Sequence, residues 1–268
     1  MREAVFRKLV ELTNHQRVAL TSRGNSSIFI ALNILKNLKK KEGRILIPDQ
    51  GIYSGFKNYL RLLGFNFIEI ETNKGIINPA SLVEKTKDAK ALVLSSLAGF
   101  YAEQPISEIS KVCKANNCFL VNDVTGVIGD NELCNGSHAD ILLGSFNSGS
   151  ISLDYGGFIS VRDRLLLEPV ADIIALFKVY PEFYNSLYHK LNSCKRKLEF
   201  LYNQSAMVKK DLDEFNLFHR SMRGINLVVE KHPSVIEYCH DKGYPYVICP
   251  HYERVNEKAI SIELKDAE

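Results

Sequence analysis

Small polar residues gather at Gly24, Asn25 and Ser26, immediately before an apolar stretch with helical spacing. The first backbone N–H groups of a helix have no partner within the helix and carry partial positive charge, so such a turn can hold a phosphate without a dedicated cation. The same residue types also cap helices, and capping alone would explain them. The segment therefore predicts either an anion site or a simple helix cap.

A second residue that could do chemistry is Asp123, which ends the apolar run that begins at Phe119. A carboxylate in that place could pair with a protonated pyridine nitrogen and keep the ring cationic, which makes the ring an effective electron sink. Asp also ends strands as a turn former or as a helix cap. Both interpretations fit the residue taken alone.

The third candidate segment starts at Ser145, where the apolar run that follows Asp140 ends. A loop rich in glycine and serine comes next, and the pair Gly156-Gly157 leads into another apolar run. A flexible surface loop would explain these small residues. Their position after a strand also suits ligand binding, because ligands of open parallel sheets bind at the carboxyl ends of the strands.

These segments need a scaffold, and the remaining sequence predicts alternating strands and helices. Predicted strands are short apolar runs closed by Gly, Pro, Asp or Ser, at residues 44–47, 67–70, 91–95, 118–122, 141–144 and 157–161. Predicted helices between them cover residues 53–63, 79–87 and 106–116. The expected fold class is α/β, with a mostly parallel sheet that helices flank on both faces.

The pattern changes in the last third of the chain. Residues 168–220 have long helical stretches rich in Leu, Phe, Tyr and Lys and no convincing strand. The tail predicts strands at 225–230, 246–248 and 259–264 and a helix at 233–242. We therefore expect a large domain over residues 1–165, connecting helices over 166–222 and a small α+β domain over 223–268.

Composition argues against several classes of protein. The 268 residues carry a formal charge of +3, and only Lys39 to Lys41 form a short basic run, typical of a solvated helix end, so no nucleic-acid partner is expected. No apolar run reaches the roughly 18 residues of a membrane span, so we expect neither a membrane partner nor export. The six cysteines lack the spacing of a zinc site, which predicts no metal and reduced thiols in the cytoplasm.

Taken in order, Gly24-Asn25-Ser26, Pro48 with Tyr53, Asp123 and the segment from Ser145-Phe146 to Gly156-Gly157 resemble the fold-type I pyridoxal-phosphate (PLP) enzymes. The sequence is most similar to the sugar-aminotransferase branch called DegT/DnrJ/EryC1/StrS, over roughly residues 15–162. The resemblance implies a PLP-transferase-like large domain and a small C-terminal domain. It also implies a homodimer, since family active sites lie at a dimer interface, and a small amino or keto substrate.

The resemblance further implies a role for each motif residue. In the family, a glycine turn and a later serine bind the cofactor phosphate, which maps onto Gly24, Asn25, Ser26 and Ser145. The family's aspartate on the pyridine nitrogen maps onto Asp123. The aromatic residue that stacks on the ring maps onto Tyr53, although a shift of one residue would place Ile52 there.

The sequence departs from the family at the lysine that binds PLP covalently. That lysine follows the serine by five residues, where this chain has Ser150, and no lysine occurs between Lys114 and Lys178. A serine cannot form the imine and is too weak a base at neutral pH to move the substrate proton. Some members of the branch carry histidine there and hold a pyridoxamine form non-covalently. In this chain a base such as His138 or Lys57 would have to serve, although both suit ordinary surface or loop roles.

Two functions stay open on the sequence. The chain is either a weak or unconventional enzyme that holds PLP or pyridoxamine phosphate non-covalently, or a non-catalytic homologue (a pseudoenzyme) that binds, regulates or pairs with an active partner. Retained Asp123 and Ser145 favour the first function, and the lost lysine favours the second. A lysine from a second subunit is a further alternative. A nicotinamide-binding Rossmann protein is disfavoured, because no G-x-G-x-x-G turn follows the first strand.

Overall fold

The structure is a computed structural model that describes residues 1–38 and 43–266, so the basic run Lys39 to Lys41 lies outside the described residues. The strands are β1 (Arg17–Thr21), β2 (Arg44–Pro48), β3 (Phe67–Ile70), β4 (Ala89–Ser95), β5 (Leu97–Ala98), β6 (Ala102–Glu103), β7 (Phe119–Asp123), β8 (Ile141–Ser145), β9 (Gly157–Val161), β10 (Leu227–Glu230), β11 (Tyr246–Ile248) and β12 (Ala259–Ile262). The helices are α1 (Arg2–Thr13), α2 (Gly24–Asn37), α3 (Gly55–Leu62), α4 (Pro79–Lys87), α5 (Ile106–Ala115), α6 (Ala171–Leu176), α7 (Phe183–Asp211) and α8 (Pro233–Lys242). A 3-10 helix, Arg164–Val170, precedes α6.

A seven-stranded sheet is the centre of the fold, in the order β1-β9-β8-β7-β4-β2-β3. Strands β8, β7, β4, β2 and β3 are parallel neighbours, whereas β9 is antiparallel to both β8 and β1. Within this sheet β9 alone is therefore reversed. The predicted α/β class with a mostly parallel sheet is confirmed.

Strand β4 shows why helices cover both faces of the sheet. Ala91 and Val93 pack into the core beneath α2 and α3, whereas Leu92 and Leu94 pack into the opposite core with α1, α4, α5 and α7. Successive side chains of a strand point to opposite faces, so an uninterrupted apolar run gives two buried faces. Because β4, β7 and β8 run parallel, their carboxyl ends lie at one edge of the sheet.

No element was predicted before Gly24, yet α1 and β1 precede it. Strand β1 pairs only with β9, residue Arg17 opposite Val161 and Thr21 opposite Gly157. A short edge strand whose partner is so distant in sequence leaves a weak local signal. It nevertheless fixes the site, because β1 delivers the chain to the start of α2.

The C-terminal part forms a second, three-stranded antiparallel sheet, β10-β12-β11, covered by α8. Helix α7 spans 29 residues and joins the two parts. Its Leu187 packs in the core of the large sheet, and its Val208 packs in the core of the small one. The predicted domain boundaries themselves stay a prediction.

The loop between β11 and β12 returns to the large sheet. Its Tyr252 carbonyl accepts a hydrogen bond from the Gly51 amide at 2.8 Å, and the Asn256 amide donates to Gln50 Oε1 at 2.7 Å. Between these two ties, the loop places Glu253 beside the edge where the carboxyl ends of β4 and β7 lie.

Candidate functional site

A cavity of about 350 Å³ opens at the carboxyl-end edge of the large sheet. Its wall includes residues that follow β1 and β2, residues that end β4, β7 and β8, and residues of the loop between β11 and β12. The predicted site residues that line it are Gly24, Asn25, Tyr53, Asp123 and Ser145. The structure therefore brings five of the predicted residues to one cavity, and most of the wall consists of residues that were not predicted.

Helix α2 starts at one end of this cavity. Gly24 is its first residue, and among the described residues no side chain caps the helix start. A Cβ added to Gly24 would lie 2.6 Å from the Cβ of Ser145, closer than two carbon atoms can approach. Glycine is required here because the start of α2 and the end of β8 meet, which gives a ligand access to the α2 amides and the Ser145 hydroxyl together.

Ser26, also predicted to bind the phosphate, is not part of the cavity wall. Its amide donates to the Arg23 carbonyl at 3.1 Å, and its hydroxyl bonds that of Ser22 at 3.2 Å. Ser26 lies within the first turn of α2, where it is buried. Its groups therefore complete the helix start, while Gly24 and Asn25 face the open space.

Asp123 ends β7 and is only 7% exposed. Its Oδ1 accepts hydrogen bonds from the Thr125 amide at 2.9 Å and from the Thr125 hydroxyl. Burial raises the pKa of this carboxyl to about 6, although both Thr125 bonds act to lower it. Among the described residues no cation pairs with it and no donor reaches its Oδ2. A positively charged N–H group that paired with this buried carboxylate would offset the free-energy cost of burying its charge.

Thr125 connects the two ends of the site. Its hydroxyl donates to Asp123 and accepts the backbone amide of Ser145 at 3.0 Å, while the Ser145 hydroxyl donates to Asn147 Oδ1 at 2.7 Å. Thr125 was not among the predicted site residues. An Asp followed two residues later by a Thr is a local turn signal, which indicates the Asp123 contact but not the one with Ser145.

Tyr53 follows β2 and lines the cavity with 40% of its surface exposed, whereas Ile52 is 1% exposed and packs into the core. Of the two candidates for a ring-stacking residue, the structure thus brings Tyr53 to the site. Gly55 leaves room for its ring, because a Cβ there would lie 2.2 Å from Tyr53 Cε1.

Ser150, which the count from Ser145 places at the lysine position, does not line the cavity. It is 2% exposed, and its hydroxyl donates to the Ile128 carbonyl at 2.6 Å. The chain turns at Gly149, whose φ is +64°. Ser148, before that turn, does line the cavity, and its buried Oγ has no hydrogen-bond partner among the described residues. A buried polar atom without a partner is typical of a place where a ligand binds.

Glu253 and Arg254 reach the cavity from the loop between β11 and β12 and were not found from the sequence. Glu253 Oε1 accepts from the Ser54 amide at 3.0 Å and from the Ser54 hydroxyl at 2.5 Å. Arg254 is buried and donates to both carboxylate oxygens of Glu263, at 2.7 and 2.8 Å. Burial alone would raise the pKa of Glu263, but the bonds and charge of Arg254 outweigh it and lower that pKa.

The two bases suggested by the sequence lie elsewhere. Neither His138 nor Lys57 is among the described residues that line the cavity, and no lysine is. Lys57 pairs with Glu69 at 2.7 Å and lies over the ring of Tyr252. Burial and nearby cations lower the pKa of His138. Both residues therefore lie outside the cavity wall, among groups that are not part of the site.

The residues present fit a phosphorylated pyridine. A helix start and the Ser145 hydroxyl form an end suited to a phosphate, while Asp123 offers an unpaired carboxylate suited to a protonated ring nitrogen. Tyr53 supplies an aromatic surface, and Ser148 a hydroxyl without a partner. The wall provides no amine for a covalent link among its described residues.

Comparison with protein-family models finds no match, and comparison with curated proteins finds none either. Solved structures do match. A cysteine desulfurase from Thermococcus onnurineus NA1 superposes with a TM-score of 0.71 at 14% identity, covering 98% of this chain and 79% of that chain. PseC from Helicobacter pylori, an aminotransferase involved in the biosynthesis of pseudoaminic acid, gives a TM-score of 0.71 at 15% identity, covering 97% and 84% respectively.

A serine palmitoyltransferase from S. paucimobilis with a bound PLP–myriocin aldimine gives a TM-score of 0.73 at 14% identity, covering 98% of this chain and 71% of that chain. This chain has the fold of fold-type I PLP enzymes. Identities this low establish the fold alone. Within residues 1–38 and 43–266, no helix is both long enough and apolar enough to cross a lipid bilayer.

Proposed function

We propose that this chain binds PLP or pyridoxamine phosphate non-covalently and acts as a weak or unconventional enzyme on an amino or keto substrate. One observation carries the proposal: Asp123, buried and without a cation, lies in the same cavity as the start of α2 and the hydroxyl of Ser145. The DegT/DnrJ/EryC1/StrS branch is the part of the superfamily that the sequence motifs favour. When bound, the cofactor would supply an electron sink for carbanion chemistry next to a substrate nitrogen.

Different residues of the chain would hold different parts of the cofactor. Asp123 would hold the proton on the ring nitrogen, and Thr125 would fix the carboxylate for that purpose through its two hydrogen bonds. The amides at Gly24 and Asn25 and the hydroxyl of Ser145 would hold the phosphate. Tyr53 would cover one face of the ring and exclude water from it.

A catalytic site without lysine needs another proton acceptor, and besides Asp123 the described cavity wall offers the carboxylates of Asp154 and Glu253. Glu253 has Oε1 held by Ser54, and among the described residues its Oε2 accepts no hydrogen bond. A carboxylate with one free oxygen can take a proton from a bound substrate, although less effectively than an amine of higher pKa. Slow turnover is the expected consequence.

The alternative function is a non-catalytic homologue that serves as a binding or regulatory subunit. The absence of lysine between Lys114 and Lys178 favours it, as does the absence of lysine from the described cavity wall. This alternative predicts that the cavity binds no cofactor or binds it without turnover. We further propose a cytoplasmic homodimer, which gel filtration with light scattering would test.

Equilibrium dialysis of the purified protein against PLP and against pyridoxamine phosphate tests the proposal. We expect saturable binding of both ligands, and no lysine-linked adduct by peptide mass spectrometry after borohydride reduction. Asp123→Asn should weaken binding, whereas Asp140→Asn, the same change at the amino end of β8, should not. A trapped adduct on any lysine of this chain would refute the non-covalent site. Failure of both ligands to bind saturably would refute the enzyme proposal in favour of the non-catalytic homologue.

A further inference from the structure

Arg23 is a cation at the mouth of the cavity. None of the site residues described above binds its side chain. Arg23 is the N-cap of α2, with extended backbone angles of φ −158° and ψ 162°. Its carbonyl accepts the amides of Ser26 and Ser27 at 3.1 and 3.3 Å, so its backbone is committed to the helix start. Its side chain is exposed and lines the cavity next to Gly24.

The guanidinium of Arg23 is free to take an anion. Among the described residues no carboxylate pairs with it and no acceptor binds it. The other arginine in the cavity wall, Arg254, is already bound by both oxygens of Glu263. The positive charge of Arg23 also acts on Tyr155, another wall residue, where it opposes the rise that burial causes in the tyrosine pKa.

We infer that Arg23 is the phosphate anchor of this site and takes over retention of the ligand from the missing covalent link. This inference rests on the proposed function and adds a specificity to it: the cavity should select phosphorylated pyridines over the same ring without phosphate. Helix amides can hold a phosphate dianion, and a guanidinium beside them would hold it more strongly by adding charge-assisted hydrogen bonds. Arg23 and the start of α2 supply charge and hydrogen bonds from the same point of the chain.

The chain offers a matched control for Arg23. Arg17 is exposed as well, and it begins the strand β1 that leads to the site, so it lies at the strand end opposite the cavity. Arg23→Gln and Arg17→Gln remove the same charge from the same segment. Arg23→Lys keeps the charge but loses the planar fork of donors that binds two phosphate oxygens.

The experiment measures dissociation constants of PLP, pyridoxamine phosphate and unphosphorylated pyridoxal by equilibrium dialysis. For Arg23→Gln we expect phosphorylated ligands to bind about ten- to a hundredfold more weakly, the effect of losing hydrogen bonds to a charged group, and pyridoxal to be unchanged. Arg23→Lys should fall between, and Arg17→Gln should match the unmodified protein. Added salt should weaken PLP binding to the unmodified protein more than to Arg23→Gln.

The outcomes separate this inference from the proposal on which it rests. If the unmodified protein binds none of the ligands, the cofactor site and the anchor are both refuted. If it binds PLP and Arg23→Gln binds PLP equally well, the anchor is refuted and the site stands. An equal loss for pyridoxal and for PLP would also refute the anchor, because it would mean that the substitution disturbs the cavity. Thermal unfolding and circular dichroism of Arg23→Gln should match the unmodified protein, since the side chain holds no partner.

Discussion

Thr125 holds the carboxylate of Asp123 by two hydrogen bonds, from its amide and from its hydroxyl, and both reach Oδ1. The same hydroxyl accepts a hydrogen bond from the amide of Ser145. Thr125 thus connects Asp123 and Ser145, the two residues that would touch the ligand at opposite ends of the site. Geometry at the ring nitrogen and geometry at the phosphate are therefore coupled through one side chain.

Thr125→Val should break that link while keeping the shape of the side chain. It removes a donor from Asp123 and leaves the Ser145 amide without its acceptor, so we expect a loss of about 1–3 kcal/mol in the free energy of unfolding. Urea denaturation measures this change. Thr125→Ser retains the hydroxyl and should lose much less. Equal stabilities of the Val and Ser variants would contradict a bridging role.

Asp123 should make the stability of the ligand-free protein depend on pH. Burial raises the pKa of its carboxyl from 3.8 to about 6, so the folded state binds more protons than the unfolded state between these values. Stability should therefore fall as pH rises from about 4 to about 6, by roughly 3 kcal/mol in all, and stay low above that range. Asp123→Asn removes the titration, so its gain over the unmodified protein should be greatest at about pH 7 and vanish near pH 4. A gain that is the same at both pH values would rule out this origin.

Gly24→Ala should disrupt the contact between α2 and β8. The new Cβ would lie 2.6 Å from the Cβ of Ser145, and relief of such a clash costs about 1–3 kcal/mol. Ser145→Gly in the same chain removes the opposing atom, so the double variant should regain most of the lost stability. It should not regain PLP binding, because the hydroxyl is gone. Additive effects on stability in a double-mutant cycle would contradict the contact.

Lysine substitutions can distinguish Ser150, which lies five residues after Ser145, from Ser148, which faces the cavity. Ser148→Lys starts from a side chain in the cavity wall, and we expect PLP to form a borohydride-reducible link to it. Ser150→Lys replaces a hydroxyl bonded to the Ile128 carbonyl in the core, so it should destabilise the fold and form no such link. Peptide mass spectrometry locates the adduct. An adduct on residue 150 alone would reverse this assignment.

Glu253 should hold the loop between β11 and β12 against the segment that follows β2. Its Oε1 accepts the Ser54 amide and hydroxyl, so Glu253→Ala should raise the hydrogen-exchange rate of the Ser54 amide. Glu237→Ala, an exposed acid on α8, serves as the matched control. Unchanged exchange at Ser54 in both variants would show that other ties, such as Gly51 to Tyr252, hold the loop without it.

The apolar run 157–161 coincides with β9, which is buried along its whole length, and the helix predicted over 79–87 coincides with α4. The run 67–70 coincides with β3, although this edge strand is partly exposed. The elements that escaped prediction include α1, β1 and the two-residue strands β5 and β6. Strand β1 is short, begins with Arg17 and depends on a partner far along the chain, so its local pattern was too weak to reveal it.

The sequence by itself determined that Asp123 and Ser145 end apolar strands, that Gly24 starts a helix, and that no lysine stands near them in the chain. Alternating strands and helices bring such ends to one edge, so that part of the site followed from local pattern. Only the tertiary structure decided that Ser148 rather than Ser150 faces the cavity and that Thr125 joins its two ends. Side-chain direction after a turn, and contacts between residues that separate elements deliver, depend on packing and leave no mark in sequence spacing.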